Sequence, residues 1–105
     1  MQSVDVRRLS AWLGEAAPPL VLDVREDWEH AIAHLPGDVH IPMGEIPVRC
    51  ETLPRDRPIV VYCHHGMRSA QVVALLAARG FASVFNLAGG IDAWSAQIDP
   101  TLPRY

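Results

Sequence analysis

The stretch Ile59-Val60-Val61-Tyr62-Cys63-His64-His65-Gly66-Met67-Arg68-Ser69 sets an unbroken apolar run against a short polar loop, and apolar residues from Val72 to Ala78 follow it. Four consecutive β-branched or aromatic residues after Pro58 predict a strand covered on both faces, as in the middle of a parallel sheet. The segment from Ser69 to Arg79 predicts a helix, with Ser69 near its cap, Arg79 in the last turn and Gly80 as its stop. Working outward, Leu20-Val21-Leu22-Asp23-Val24 behind two prolines predicts a second buried strand and Val84-Phe85-Asn86-Leu87 a third. Ser3-Val4 and Val39-His40-Ile41 add two short edge strands. Helical spacing fills the gaps. Val6 to Leu13 has Asp5 as its cap, Glu26 to Ala31 carries acids at the positive end of its dipole, and Met43 to Leu53 is expected to be broken by Pro47. Ile91 to Gln97 forms the last helix after a tight turn at Gly89-Gly90, and Pro100 to Tyr105 reads as a loop or docking arm. Strand alternating with helix gives the α/β class, a parallel sheet with helices on both faces. Ligands in such sheets sit beyond the carboxyl ends of the strands, which directs attention to the residues after Asp23 and Tyr62.

Length and charge narrow the chemistry. The 105 residues, half of them apolar, make a single domain over 1–105 with a core that needs no metal or disulfide. A net charge of −3 offers no field for nucleic acid or an anionic membrane surface. All nine basic residues are arginine, so the chain supplies no lysine for a Schiff base or a phosphate loop. No run approaches the roughly 20 apolar residues of a membrane span, and no apolar leader is visible. With two cysteines, Cys50 and Cys63, a secreted disulfide framework is excluded, and the expected compartment is the cytoplasm with both thiols reduced.

The loop after Tyr62 turns backbone N–H groups inward at a helix start, which makes an anion cradle. A cysteine at its mouth, Cys63, sits in positive potential from amides, helix end and Arg68, and is drawn toward the nucleophilic thiolate. A lone cysteine after a strand is more often a buried core residue. The glycine-containing polar loop shifts that balance toward chemistry.

Leu22-Asp23-Val24-Arg25-Glu26, His34-Leu35-Pro36-Gly37, Ile41-Pro42, the loop from Cys63 to Ser69, Gly80-Phe81 and Leu87-Ala88-Gly89-Gly90-Ile91-Asp92-Ala93-Trp94 together resemble a single-domain rhodanese, the sulfurtransferase family. The resemblance spans nearly the whole chain and departs from the pattern at Ala33, usually glycine, and Asp38, usually alanine. It implies a five-stranded parallel sheet flanked by helices. It also implies that Cys63 takes the outer sulfur of thiosulfate or a persulfide, carries it as a cysteine persulfide, and gives it to a thiophilic acceptor. The inward amides of His64, His65, Gly66, Met67 and Arg68 would stabilise the anion, with no cofactor and no metal. The expected partners are small sulfur-containing anions and a protein sulfur donor or acceptor. The alternative reading is a sulfur-relay or binding module fed by a partner and slow with free thiosulfate. Related dual-specificity phosphatases place five residues between cysteine and arginine where this chain has four, and the tighter loop favours sulfur over phosphate.

Other residues carry weaker readings. His64 and His65 either add positive charge for an anionic donor or are solvated loop residues whose amides matter more than their rings. As zinc ligands they are poor, because adjacent side chains diverge and Cys63 would be consumed. Met67 is an apolar wall for the donor or a gap filler. Arg68 either aims its fork at the anion or, the favoured reading, ties the loop to an acid such as Asp23. Asp23 is expected to bond backbone N–H groups at a turn, and Arg25 with Glu29 to make a weak surface pair. Cys50, between Arg49 and Glu51, reads as partly exposed and passive, and Trp12, Trp28 and Trp94 as core or core-edge anchors. An exposed apolar rim from Met67 and Leu35 would suit docking to a protein.

Overall fold

The computed structural model describes residues 1–105. Five strands, β1 (Ser3–Val4), β2 (Leu20–Asp23), β3 (Val39–His40), β4 (Ile59–Tyr62) and β5 (Val84–Leu87), form one sheet in the order β1-β5-β4-β2-β3, every pair parallel. The helices are α1 (Val6–Leu13), α2 (Asp27–Ile32), α3 (Ile46–Arg49), α4 (Met67–Ala78) and α5 (Gly90–Gln97). β4 is central, and in register Leu22 lies beside Val61 and Asp23 beside Tyr62. Its four residues are buried because both faces are covered: Ile59 and Val61 enter a core with Val72, Val73 and Leu76 of α4, while Val60 and Tyr62 enter one with Leu9 of α1 and Ile91 and Trp94 of α5. The two-residue period of a strand thus divides one apolar run between two layers.

Several boundaries move for physical reasons. Gly66, at φ 114°, opens α4, so Met67, Arg68 and Ser69 occupy its first turn; Ser69 is not the cap. The unpaired N–H groups of that turn face the end of β4. Glu26 caps α2 from outside, and its own N–H is taken by the Glu29 carboxylate at 3.1 Å. Pro47 does not break its segment. It sits at the start of α3, where its missing N–H is not needed, between 3-10 turns at Met43–Glu45 and Cys50–Thr52. Ala33 adopts extended backbone at φ −163°, so that position needs no glycine here. Asp38 accepts a hydrogen bond from the Tyr62 hydroxyl at 2.6 Å, a contact alanine cannot make.

Candidate functional site

Three bonds converge on the Cys63 sulfur at the carboxyl end of β4. The Gly66 N–H donates to Sγ at 3.2 Å, the Ser69 N–H at 3.4 Å, and the Ser69 hydroxyl lies 3.4 Å away. Gly66 must take its left-handed conformation to turn that amide inward. Burial, with the residue 1% exposed, pushes the thiol up. The Ser69 hydroxyl and the amides of Ser69, Gly66 and Arg68 outweigh it, and the net position is below the ordinary thiol value. The hydroxyl's contribution depends on one proton with two claimants. Asn86 donates its Nδ2 to the Gly66 carbonyl at 3.1 Å, which points its Oδ1 at Ser69, where it accepts the hydroxyl at 2.5 Å. The shorter bond holds the proton, so a thiolate leans first on backbone amides and the α4 dipole.

The amides at the Cys63 sulfur itself belong to Gly66, Arg68 and Ser69; Ser69 is not among the loop residues expected to supply one. The loop's first carbonyls are held from the other side: Ile91 N–H donates to Cys63 O at 3.0 Å and Asp92 N–H to His64 O at 3.1 Å. This close approach explains Gly90, where a Cβ would lie 2.6 Å from the Cys63 carbonyl oxygen and still nearer that of His64.

Arg68 points away from the sulfur, as favoured, but its partner is Glu29 and not Asp23. The fork is bidentate, at 2.6 and 2.9 Å. Arg68, with burial opposing, holds the Glu29 carboxyl down to about 2; the Tyr105 hydroxyl and the Glu26 N–H add to this. Asp23 does bond the Arg25 N–H at 2.9 Å. It also receives the Arg25 fork at 2.9 and 2.8 Å and His30 Nδ1 at 2.8 Å. Burial would raise the Asp23 carboxyl, yet these bonds keep it below its usual range. Arg25 and Glu29 are therefore not a surface pair. Both are buried, and Arg25 reaches only the Glu29 carbonyl, at 3.3 Å.

His64 stacks on Tyr105 at 3.9 Å with 8° between the rings, and its buried Nε2 has no partner. Burial, then the neighbouring His65, lowers its pKa from the ordinary imidazole value, which disfavours the charged ring. The His65 ring and Met67 are exposed, Met67 at 80%, whereas Leu35 is fully buried, so the docking rim loses one of its two members. Cys50 is buried, not partly exposed. It touches Arg79 at the far end of α4 from Cys63, and the helix's 12 residues rise about 18 Å. Trp94 is a core anchor and Trp12 lies at the core edge, but Trp28 is 60% exposed. A second histidine group lies beneath α2, where His34, His30 and His40 stack at 4.3 Å with 17° and 3° between successive rings. Asp23 with His30 and His40, and His30 with His34 and Asp38, each bring one ligand atom per residue within 4.8 Å of the others, and His30 Nδ1 is already bonded to the Asp23 carboxylate at 2.8 Å.

The family model described as Rhodanese-like domain matches residues 5–97. The chain belongs to this family. It is 38% identical over 95 residues to a sulfurtransferase of Allochromatium vinosum, covering 90% of this chain and 89% of that one. It is 30% identical to the thiosulfate sulfurtransferase GlpE of Coxiella burnetii, covering 91% of each. A rhodanese-like domain protein from Staphylococcus aureus, 35% identical, superposes with a TM-score of 0.85 over 90% of this chain and 91% of its own. The five-stranded parallel sheet expected from the resemblance is the fold these neighbours share. Among the residues meeting at this rhodanese-like site, Ser69 reads from sequence only as a cap, while Asn86, Glu29 and Tyr105 carry no functional reading there. Asn86 alone gives a signal, as an amide inside an otherwise apolar strand.

Proposed function

We propose that the chain is a rhodanese-type sulfurtransferase that moves sulfane sulfur through a persulfide on Cys63. The observation that carries the reading is the set of amides aimed at Sγ from the cap and first turn of α4, which serves a thiolate and equally a persulfide anion. In the first half-reaction the Cys63 thiolate attacks the outer sulfur of thiosulfate. The new S–S bond forms as the old one breaks, and sulfite leaves with the electron pair. In the second, an acceptor such as cyanide attacks the outer persulfide sulfur, departs as thiocyanate, and returns the thiolate. Neither half needs a general base, an external redox partner, a cofactor or a metal. His64, His65, Gly66, Met67 and Arg68 form the binding loop, where the side chains of His65 and Met67 are exposed. Arg68 supports sulfur over phosphoryl transfer. Its fork is spent on Glu29 and is not free to clasp the equatorial oxygens of a phosphate. The reaction belongs in the cytoplasm, where both thiols stay reduced; no helix of the chain is long and apolar enough to cross a membrane.

Steady-state formation of thiocyanate from thiosulfate and cyanide tests the reading. Saturable turnover that vanishes in Cys63→Ser is expected. Turnover only with a persulfide-bearing protein as donor would replace it with the partner-fed relay, and sulfur uptake from neither donor would overturn both.

A further inference from the structure

We propose that Tyr105 is a positioning residue for the Cys63 loop, and that the segment after α5 is a strap fixing both ends of that loop. The inference rests on the sulfur-transfer reading for its purpose. Its geometry is independent of it.

One phenol makes several contacts, among them an edge-on one to Trp28 at 5.9 Å. Its ring lies flat on His64, the residue after Cys63. Its hydroxyl donates to Glu29 Oε2 at 2.6 Å and accepts from Arg25 Nη1 at 2.9 Å. The same Glu29 carboxylate receives the fork of Arg68, the residue before Ser69. Tyr105 therefore reaches one end of the loop by stacking and the other through a single carboxylate. The amides that meet Sγ, from Gly66 and Ser69, lie between or beside these two holds.

The strap is itself fastened. The Asp99 carboxylate caps a turn by accepting from the Thr101 N–H at 3.1 Å, Leu102 packs against the core under α1 and α5, and Arg104 grips Asp92 bidentately at 3.0 and 3.1 Å. Asp92 is also the residue whose N–H holds the His64 carbonyl. Residues 98–105 lie beyond the region matched by the family model, so the strap is no part of what that model describes. Burial, then the bond to Glu29, raises the Tyr105 hydroxyl to about 12, which keeps it a donor throughout the pH range of the chemistry.

Without the ring, His64 loses its cover and the peptide after Cys63 gains freedom. The carbonyls of Cys63 and His64 remain tied to α5, so the loop loosens without collapsing. Less well aligned amides stabilise the thiolate less, and the Cys63 thiol titrates higher.

The test measures the rate of iodoacetamide alkylation of Cys63 against pH, in a Cys50→Ser chain, with Tyr105 intact and as Tyr105→Phe, Tyr105→Leu and Tyr105→Ala. With Ala and with Leu the midpoint should move up by roughly half to one pH unit, a fall of about threefold to tenfold in the rate at pH 7. Phe, which keeps the stack, should recover most of the loss. Leu fills the space without an aromatic face and serves if Ala does not fold. A folded Leu or Ala variant whose midpoint matches that of the Tyr105 chain overturns the proposal. So does a Phe variant as impaired as Leu, since the stack would then contribute nothing. Alkylation involves no sulfur donor, so failure of the transferase reading would show as absent sulfur uptake with the Tyr105 effect intact.

Discussion

Replacing Glu29 by Gln tests how the site is braced. The Glu29 carboxylate is almost fully buried and takes four bonds: two from Arg68, one from the Tyr105 hydroxyl and one from the Glu26 N–H. A carboxyl that titrates at 4.5 unfolded and at about 2 folded contributes about 3 kcal/mol to stability at neutral pH. Arg68 is one-third exposed and regains water when its partner goes, so the net loss in Glu29→Gln should be about 2–3 kcal/mol, below that of a fully buried pair. For a domain of this size that is a fall in Tm of about 8–20 °C at pH 7. The pH dependence gives a second reading. Because folding depresses this carboxyl, its contribution is complete above pH 4.5 and is lost as the pH falls toward about 2. Thermal melts of both chains from pH 7 to pH 2 should therefore converge at the acid end, with the flatter profile in Glu29→Gln. A fall of less than about 3 °C at pH 7, which is under 1 kcal/mol, or parallel acid limbs in the two chains, would refute the reasoning.

Two further outcomes follow from the packing. Cys50→Ser should leave the rate of sulfur transfer within about twofold while lowering stability by roughly 1–2 kcal/mol, because a buried sulfur touching Arg79 becomes a more polar hydroxyl; loss of transfer in a folded Cys50→Ser chain would give that thiol a role in the reaction. Gly90→Ala should cost roughly 2–3 kcal/mol and slow transfer, since the added methyl meets the carbonyls of Cys63 and His64 and forces the loop to move; a Gly90→Ala chain with unchanged melting and turnover would show that α5 does not fix the loop.

Much of this is legible in the sequence because it is local. An apolar run too uniform for a one-faced strand puts β4 at the centre of a parallel sheet, and the glycine-bearing loop behind it puts Cys63 at a helix start. What is not legible is tertiary. Glu29 and Arg68 are 39 residues apart, and no spacing rule joins them. Arg25 reads as a surface residue because arginine usually is one. Its burial follows from the Asp23 fork and the Ala33 carbonyl at 2.6 Å, partners that only the fold supplies. Cys50 misleads for a different reason. Its charged neighbours are exposed, but in a 3-10 turn successive side chains point about 120° apart, so flanking charges say little about the residue between them. Tyr105 sits in a segment with no periodicity, and its docking depends on a cleft built from α2 and the Cys63 loop.

The central claim is that Cys63 carries transferable sulfur, and intact-protein mass spectrometry tests it most directly. The reduced chain would be incubated with thiosulfate, weighed, treated with cyanide and weighed again, with Cys63→Ser alongside. The account predicts a gain of one sulfur atom on the parent chain, its removal by cyanide, and no gain on Cys63→Ser. A folded parent chain with a free thiol that gains no sulfur from thiosulfate or from a persulfide donor, or a Cys63→Ser chain that gains it equally, would contradict the account.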